Sequence, residues 1–272
     1  MRRQTGEIVA LVILFLSITV FTVVGFTRDW APTVASEHGV GVDSVIDYLL
    51  LATGAVLVVG TVVFVFFLWQ YGRGGRALSP RTSARTERWW TLVPVLGMAL
   101  LAEAGVLLKG LPVWEQVYGE TPEDVLVVEV VAQQFEWIAR YPGPDGVFGR
   151  TAPELVHQTV NPAGLDPADP TGGDDIITRN RLYLPVDRTV VVRLRSRDVL
   201  HSFSVPAFRV KQDVVPGMII QTQFKPTVIG EYEIACAELC GMGHYRMGGT
   251  VFVRPQAAFD AWLDEQAGGD DG

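Results

Sequence analysis

Cysteine is nearly absent, with two residues in a chain of 272, and basic charge is in deficit, with 22 Lys and Arg against 30 Asp and Glu and a net charge of −8. So few cysteines at this length exclude a small disulfide-stapled scaffold. The acidic balance argues against a nucleic-acid partner, because a phosphate-binding face needs an excess of Lys and Arg. No Cys-x-x-Cys-His string occurs, which excludes a covalently attached c-type haem. No internal repeat is present either, so a repeat array is excluded.

Apolar residues, by contrast, make up 49% of the chain. The mean hydropathy is +0.26 although 19% of residues are charged, which requires apolar and polar segments to be segregated. Residues 1–114 carry nine Lys/Arg and seven Asp/Glu, a balance of +2 that leaves −10 for residues 115–272. Ile46 to Trp69 carries a single charge, Asp47 near its start, and Trp89 to Leu111 is interrupted only by Glu103 and Lys109. Each stretch is roughly 34 Å long as a helix, enough to cross a bilayer.

The connecting segment, 70–88, holds Arg73, Arg76, Arg81, Arg85 and Arg88 and a single acid, Glu87. The positive-inside tendency makes this loop cytoplasmic, so 43–114 reads as a transmembrane hairpin with both ends outside and an extracytoplasmic acidic domain after it. Trp69, Tyr71, Trp89, Trp90 and Trp114 fit the aromatic belts at headgroup level. Upstream, Arg2 and Arg3 precede an apolar run from Ile8 to Phe26. Segment 1–36 is therefore either a third span or a long signal peptide. Its apolar run exceeds the usual signal core, and the cleavage-like Val34-Ala35-Ser36 lies well beyond that run, which favours an uncleaved helix.

From 115 onward the pattern becomes β. Val125–Val131, Thr189–Arg195, Met218–Phe224, Tyr232–Ala235 and Thr250–Val253 are short, β-branched and alternating, with Val190, Val192 and Leu194 opposite Arg193 and Arg195. Such strands, punctuated by Pro and Gly, imply a sandwich or barrel over 115–267. Pro142–Thr178 reads as a long surface insertion, Gln256–Gln266 as a closing helix carrying Phe259, Trp262 and Leu263, and 268–272 as a flexible tail.

The chemistry is concentrated in Cys236-Ala-Glu-Leu-Cys240-Gly-Met-Gly-His244-Tyr-Arg-Met247, with His201 upstream. Two thiols, two imidazoles and a thioether are the soft and borderline donors that suit copper. Zinc also accepts two Cys and two His, but a closed structural zinc site leaves Met247 without a role. A Cys236–Cys240 disulfide would close a very small loop and explain neither the histidines nor the methionine.

His, then Cys-x-Glu-x-Cys-x-x-x-His-x-x-Met, resembles the dinuclear copper A centre of cytochrome c oxidase subunit II. The resemblance covers about 43 to 266 and implies a helix hairpin before a cupredoxin-like β-sandwich. It implies two copper ions bridged by Cys236 and Cys240, with His201 and His244 on one ion each and Met247 and the backbone carbonyl of Glu238 as axial ligands. The Glu238 side chain matches the carboxylate that reaches a magnesium ion shared with subunit I. Ser196–Pro206 and Lys211–Gly217 are similar to the segments that hold the first histidine and face the haem subunit.

Glu87-Arg-Trp-Trp-Thr-Leu-Val-Pro94 is similar to the start of the family's second helix, which makes Glu87 the candidate mouth of a proton path. As a bare acid in a basic loop it would only pair with Arg85 or Arg88, worth little. Two departures stand out. Gln134-Phe135-Glu136-Trp137 replaces the family's Gln-Trp-x-Trp string, so Phe135 stands where the electron-input tryptophan is expected. Phe135 and Trp137 mark the candidate input region, with Trp137 read as a core aromatic. Glu103 falls near mid-membrane, where a lipid-facing carboxylate is costly, so it is expected to face a partner subunit. His38 and His157 have no partner pattern and read as surface histidines.

The function these features imply is that of the electron-input subunit of a haem-copper terminal oxidase in the plasma membrane. It would take electrons outside the cytoplasm from cytochrome c or a small copper protein and pass them to haem in subunit I, where oxygen is reduced and protons are pumped. The alternatives are the copper A subunit of a nitric oxide reductase, and a non-redox assembly or anchoring subunit. The intact donor set weighs against the last.

Overall fold

The computed structural model describes residues 2–28, 30–72 and 82–268. The chain divides into two compact units, Met1–Trp30 with Asp43–Leu111, and Ala31–Val42 with Pro112–Gly272.

The first unit is helical. Helix α1 spans Arg2–Phe26, α2 Glu37–Gly72 and α3 Ala84–Gly105; a π-helical turn, Val106–Gly110, joins α3 to α4, Leu111–Tyr118, and both the start of α2, through Val42, and α4 from Pro112 belong to the second unit. Three stretches are long and apolar enough to cross a membrane: Gly6–Phe26, Glu37–Gly72 and Ala84–Tyr118. Their large side chains face outward, Phe21, Leu51 and Leu100 among them, as expected of helices whose solvent is hydrocarbon. Helix pairing uses small and hydroxylated positions. Gly105 admits the ring of Tyr48, whose hydroxyl donates to Leu101 O. Thr19 meets Thr61 at 3.1 Å beside an edge-on Phe15–Phe64 pair. Most of the basic loop, 73–81 with Arg73, Arg76 and Arg81, and the tail 269–272 lie outside the described residues.

The second unit is a sandwich of two five-stranded sheets. Its strands are β1 (Leu126–Gln133), β2 (Glu136–Tyr141), β3 (Ile176–Arg179), β4 (Arg181–Pro185), β5 (Val190–Ser196), β6 (His201–Val205), β7 (Val210–Val214), β8 (Ile220–Phe224), β9 (Gly230–Cys236) and β10 (Gly248–Arg254). One sheet runs β3-β2-β1-β5-β8 and the other β4-β10-β9-β6-β7. The pairs β1–β5 and β10–β4 are parallel, and the remaining ladders are antiparallel. Alternation decides which faces meet: Val128, Val130, Val190, Val192 and Leu194 from one sheet oppose Phe203, Val205, Ile234, Val251 and Val253 from the other. Helix α5, Gln256–Gly268, buries Phe259 and stacks Trp262 on Tyr183 at 4.3 Å.

The insertion 142–178 is irregular apart from the 3-10 turns Pro153–Leu155 and Pro170–Gly172, and its last residues become β3. Arg140, 4% exposed, ties it to the sheet through Glu129, Asp175 (2.9 Å) and Gly149 O (2.7 Å).

His38 is a correction: it is 3% exposed and not a surface histidine. The segment before α2 is laced into the sandwich. Ala35 N–H donates to Ala207 O, Thr227 N–H to Ala35 O and Glu37 N–H to Lys225 O, at 2.8–3.0 Å. Ser36 accepts from Gly39 N–H as a helix cap and donates to Phe208 O at 2.7 Å. His157 is exposed.

Candidate metal centre

Strand pairing brings the chemistry together. His201 opens β6 and Cys236 ends β9, two neighbours in one sheet. After Cys236 the chain folds into a tight loop rather than continuing as a strand. His244 N–H reaches Gly241 O, Met247 N–H reaches His244 O, and Cys236 N–H closes the loop on Met247 O, all at 3.1 Å. Gly241 has φ +132°, a backbone region that only glycine occupies without strain. A Cβ at Gly241 or Gly243 would also strike the Phe135 ring or the Gln134 amide.

Two sulfur atoms form the centre, Cys236 Sγ and Cys240 Sγ, 3.8 Å apart and both free. Each has its own imidazole: His201 Nδ1 lies 3.9 Å from Cys236 Sγ, and His244 Nδ1 lies 3.6 Å from Cys240 Sγ. Met247 Sδ is 3.6 Å from Cys240 Sγ, and the carbonyl of Glu238 is 3.2 Å from Cys236 Sγ. His201, Cys236 and Cys240 offer donor atoms within 4.8 Å of one another. His201 and Met247 are buried and His244 is half-buried.

A second set of residues positions the first. Asp198 Oδ1 accepts from His201 Nε2 at 2.8 Å, which leaves the Nδ1 lone pair facing the thiols. Burial works to raise the Asp198 carboxyl, but hydrogen bonds from His201 and from the N–H groups of Gln134 and Val199 outweigh it and hold the group below its usual range. Gln134 Nε2 donates to Cys240 O at 2.6 Å, and Gln134 N–H donates to Asp198 Oδ2 at 2.7 Å. Burial first, and then the neighbouring Cys236 thiol, push the Cys240 thiol up to about 11. A compensating cation beside it would favour the Cys240 thiolate.

This donor set fits metal. Five soft or borderline donors converge in a mostly buried site, with one imidazole flanking each sulfur rather than four donors around a single point. Of the other candidate residues, Phe135 is half-buried against Gly241 and Gly243. Trp137 is 2% exposed and meets His201 edge-on at 6.2 Å. Glu87 lies in the first turn of α3 of the helical unit, where it accepts from the Thr82 hydroxyl at 2.7 Å. Sequence reasoning gave no role to Gln134 or Asp198, although Asp198 precedes His201 by three residues, a spacing at which a turn returns a carboxylate to an imidazole.

Comparison with known proteins gives a consistent picture. The family profile described as the periplasmic domain of cytochrome c oxidase subunit II matches residues 126–253. An alternative cytochrome c oxidase subunit 2 of Bradyrhizobium diazoefficiens is 35% identical over 95% of this chain and 91% of its own length. Cytochrome c oxidase subunit 2 of Cereibacter sphaeroides is 30% identical over 90% and 80%. The crystal structure of the periplasmic domain of subunit II of a Bradyrhizobium japonicum cytochrome oxidase is 28% identical, covering 54% of this chain and 96% of that one with a TM-score of 0.40.

Proposed function

This chain belongs to the cytochrome c oxidase subunit II family, and on that premise we propose that it is the electron-input subunit of a haem-copper terminal oxidase, carrying a dinuclear copper A centre on its extracytoplasmic sandwich. The observation that supports this best is the pairing of each thiol with its own imidazole, Cys236 with His201 and Cys240 with His244. Cys236, Cys240, His201, His244, Met247 and the backbone carbonyl of Glu238 would together hold two copper ions. When bound, such a pair supplies reversible one-electron chemistry with little change of geometry.

The protein's own part is to keep the donors still. Strands β6 and β9 fix His201 and Cys236, the loop hydrogen bonds fix Cys240, His244 and Met247, and Asp198 fixes the ring of His201. Burial of His201 and Met247 keeps water from the thiol pair. The loop also exposes Leu239, Met242 and Tyr245, at 76%, 97% and 85%. An apolar patch of this kind suits docking to a protein, here subunit I or a cytochrome c or small copper-protein donor. Phe135 and Trp137 are the aromatics through which a donor's electron would reach the centre. The Glu238 side chain would hold magnesium at the subunit I boundary, and Glu87 would lie at the cytoplasmic mouth of a proton path. In this reading the chain would sit in the plasma membrane with 70–88 on the cytoplasmic side, which the arginines of that segment support.

The test is the purified full-length chain loaded with copper under reducing conditions. Two coppers per chain with one unpaired electron shared equally in the EPR hyperfine pattern is the expected result. A single localised copper would overturn the proposal.

A further inference from the structure

Arg193, Arg195 and Arg197 alternate along the chain, so they share the face of β5 opposite Val190, Val192 and Leu194. Arg197, one residue past the strand, continues the ladder through its N–H to Ala132 O at 3.1 Å. In a domain whose charge is −10, none of the three has an ion pair among the described residues.

The insertion 142–178 lies over this face. The Arg193 guanidinium is 5.9 Å from the centre of the Phe148 ring, and Arg195 donates to Thr151 Oγ1 at 3.3 Å. Arg197 donates to Pro162 O and, at 2.7 Å, to Gln133 Oε1. Between insertion and sheet is a cavity of about 640 Å³ whose charged lining is Arg195, Arg197 and Asp198.

The nearby carboxylates are committed elsewhere. Asp198 gives Oδ1 to His201 and Oδ2 to the Gln134 N–H, and Glu136 is held by Arg179 at 2.7 and 2.9 Å. Burial first, and then the adjacent Arg195, lower the Arg197 guanidinium from its ordinary value, against the opposing pull of Glu136 and Asp198. Two half-buried guanidiniums thus repel one another across one wall. Such a pair is stabilised by an incoming anion, and the guanidinium fork matches a carboxylate.

The mouth of the cavity indicates what brings that carboxylate. Gln134, Met218 and Ile219 are its exposed edge, the last two 55% and 62% exposed. Gln134 precedes Phe135 and holds Cys240 O at 2.6 Å, so the mouth opens beside that aromatic and the thiol loop. A free anion gains nothing from an apolar lip, whereas a docking protein covers it.

We propose that this cavity receives a carboxylate side chain of the protein that delivers the electron, so that the donor docks beside Phe135 through an acidic face. The inference rests on the electron-input reading. At physiological salt the Debye length is about 8 Å, so a docked group meets Arg195 and Arg197 rather than the net charge of the domain.

The test compares mitochondrial cytochrome c, which presents lysines, with the same protein after succinylation turns those lysines into carboxylates. Binding is read by calorimetry at physiological salt on the detergent-solubilised full-length chain with Cys236→Ser and Cys240→Ser, which needs no copper; stopped-flow oxidation of the donor haem is read on the copper-loaded chain. The succinylated form should bind more tightly. Arg195→Gln and Arg197→Gln should each weaken it by about tenfold, and Arg197→Lys should restore much of the loss. Arg188→Gln, which removes the same charge at the far end of β5, should change nothing. Preference for the unmodified form, or equal binding in all variants, overturns the proposal. So does inorganic phosphate that binds through the arginines without displacing the succinylated donor, because the cavity then serves a small ion. Loss of the shared-electron EPR pattern would instead strike the copper reading and leave the binding comparison standing.

Discussion

Gln134 and Asp198, 64 positions apart, are joined by a 2.7 Å hydrogen bond from the Gln134 N–H to the Asp198 carboxylate. From that link one arm reaches His201 Nε2 and the other reaches the carbonyl of Cys240. The two residues thus hold both flanks of the thiol pair in register although neither donates to metal.

Asp198→Asn keeps an acceptor for His201 but removes a negative charge beside the centre. The copper-loaded variant should have a higher reduction potential, by on the order of 50 mV, with the same copper content. Spectroelectrochemical titration reads both, and an unmoved potential would show that Asp198 only orients the ring.

Gln134→Ala leaves the Cys240 carbonyl without its side-chain donor. The loss should be about 1–2 kcal/mol, seen as a Tm lower by several degrees and faster copper release to a chelator. Gly241→Ala should give the same phenotype by another route, since its Cβ would lie 2.6 Å from Gln134 Nε2.

Arg140 stands between two carboxylates, and the Asp175 side chain is fully buried. Arg140→Met strands both charges and should cost about 3–5 kcal/mol in denaturant unfolding. Adding Glu129→Leu and Asp175→Leu should recover most of it, because the triple variant buries no unpaired charge.

Glu136 accepts from Arg179 at 2.7 and 2.9 Å, and these bonds hold its carboxyl below the usual glutamate range. A carboxyl depressed in the folded state contributes stability that is present above its unfolded value and lost as pH falls through the folded one. The Tm gap between the parent and Glu136→Gln should correspond to about 0.5–1 kcal/mol at pH 7 and close on acidification below that range. A gap unchanged at low pH would mean that the ion pair is not its source.

Glu103 lies about 20 Å along the helix from Trp90 and about 17 Å from Trp114, and no described residue reaches its exposed side chain. Glu103→Gln should assemble with subunit I as the parent does, whereas Glu103→Leu should reduce the co-purified amount if the carboxyl hydrogen-bonds a partner. Equal recovery of both would leave the residue without a role in assembly.

What the sequence disclosed follows from periodicity and donor spacing. Val190, Val192 and Leu194 announced β5 because one face of that strand is wholly buried, and the Cys-x-x-x-Cys and His-x-x-Met spacings are short enough for one loop to hold. Strands β6 and β7 were not legible as strands. Ser202, Ser204, Lys211 and Asp213 interrupt their apolar pattern, and sheet pairing overrides local propensity there. Strand β3 was absorbed into the insertion because its four residues adjoin a run of Gly and Asp. His38 escaped for a different reason: its burial depends on contacts with Arg209 and the sandwich, which no local pattern encodes.

The hydrogen bonds of Ala35, Ser36 and Glu37 bear on how the chain can be cut. A fragment starting at α4, the obvious soluble piece, would leave Ala207 O, Phe208 O, Lys225 O and Thr227 N–H without the strap that satisfies them. The outer domain is therefore discontinuous in sequence. A soluble version needs 31–42 restored, either as an added peptide or by circular permutation, and its native assembly waits until both stretches of chain have reached the same side of the membrane.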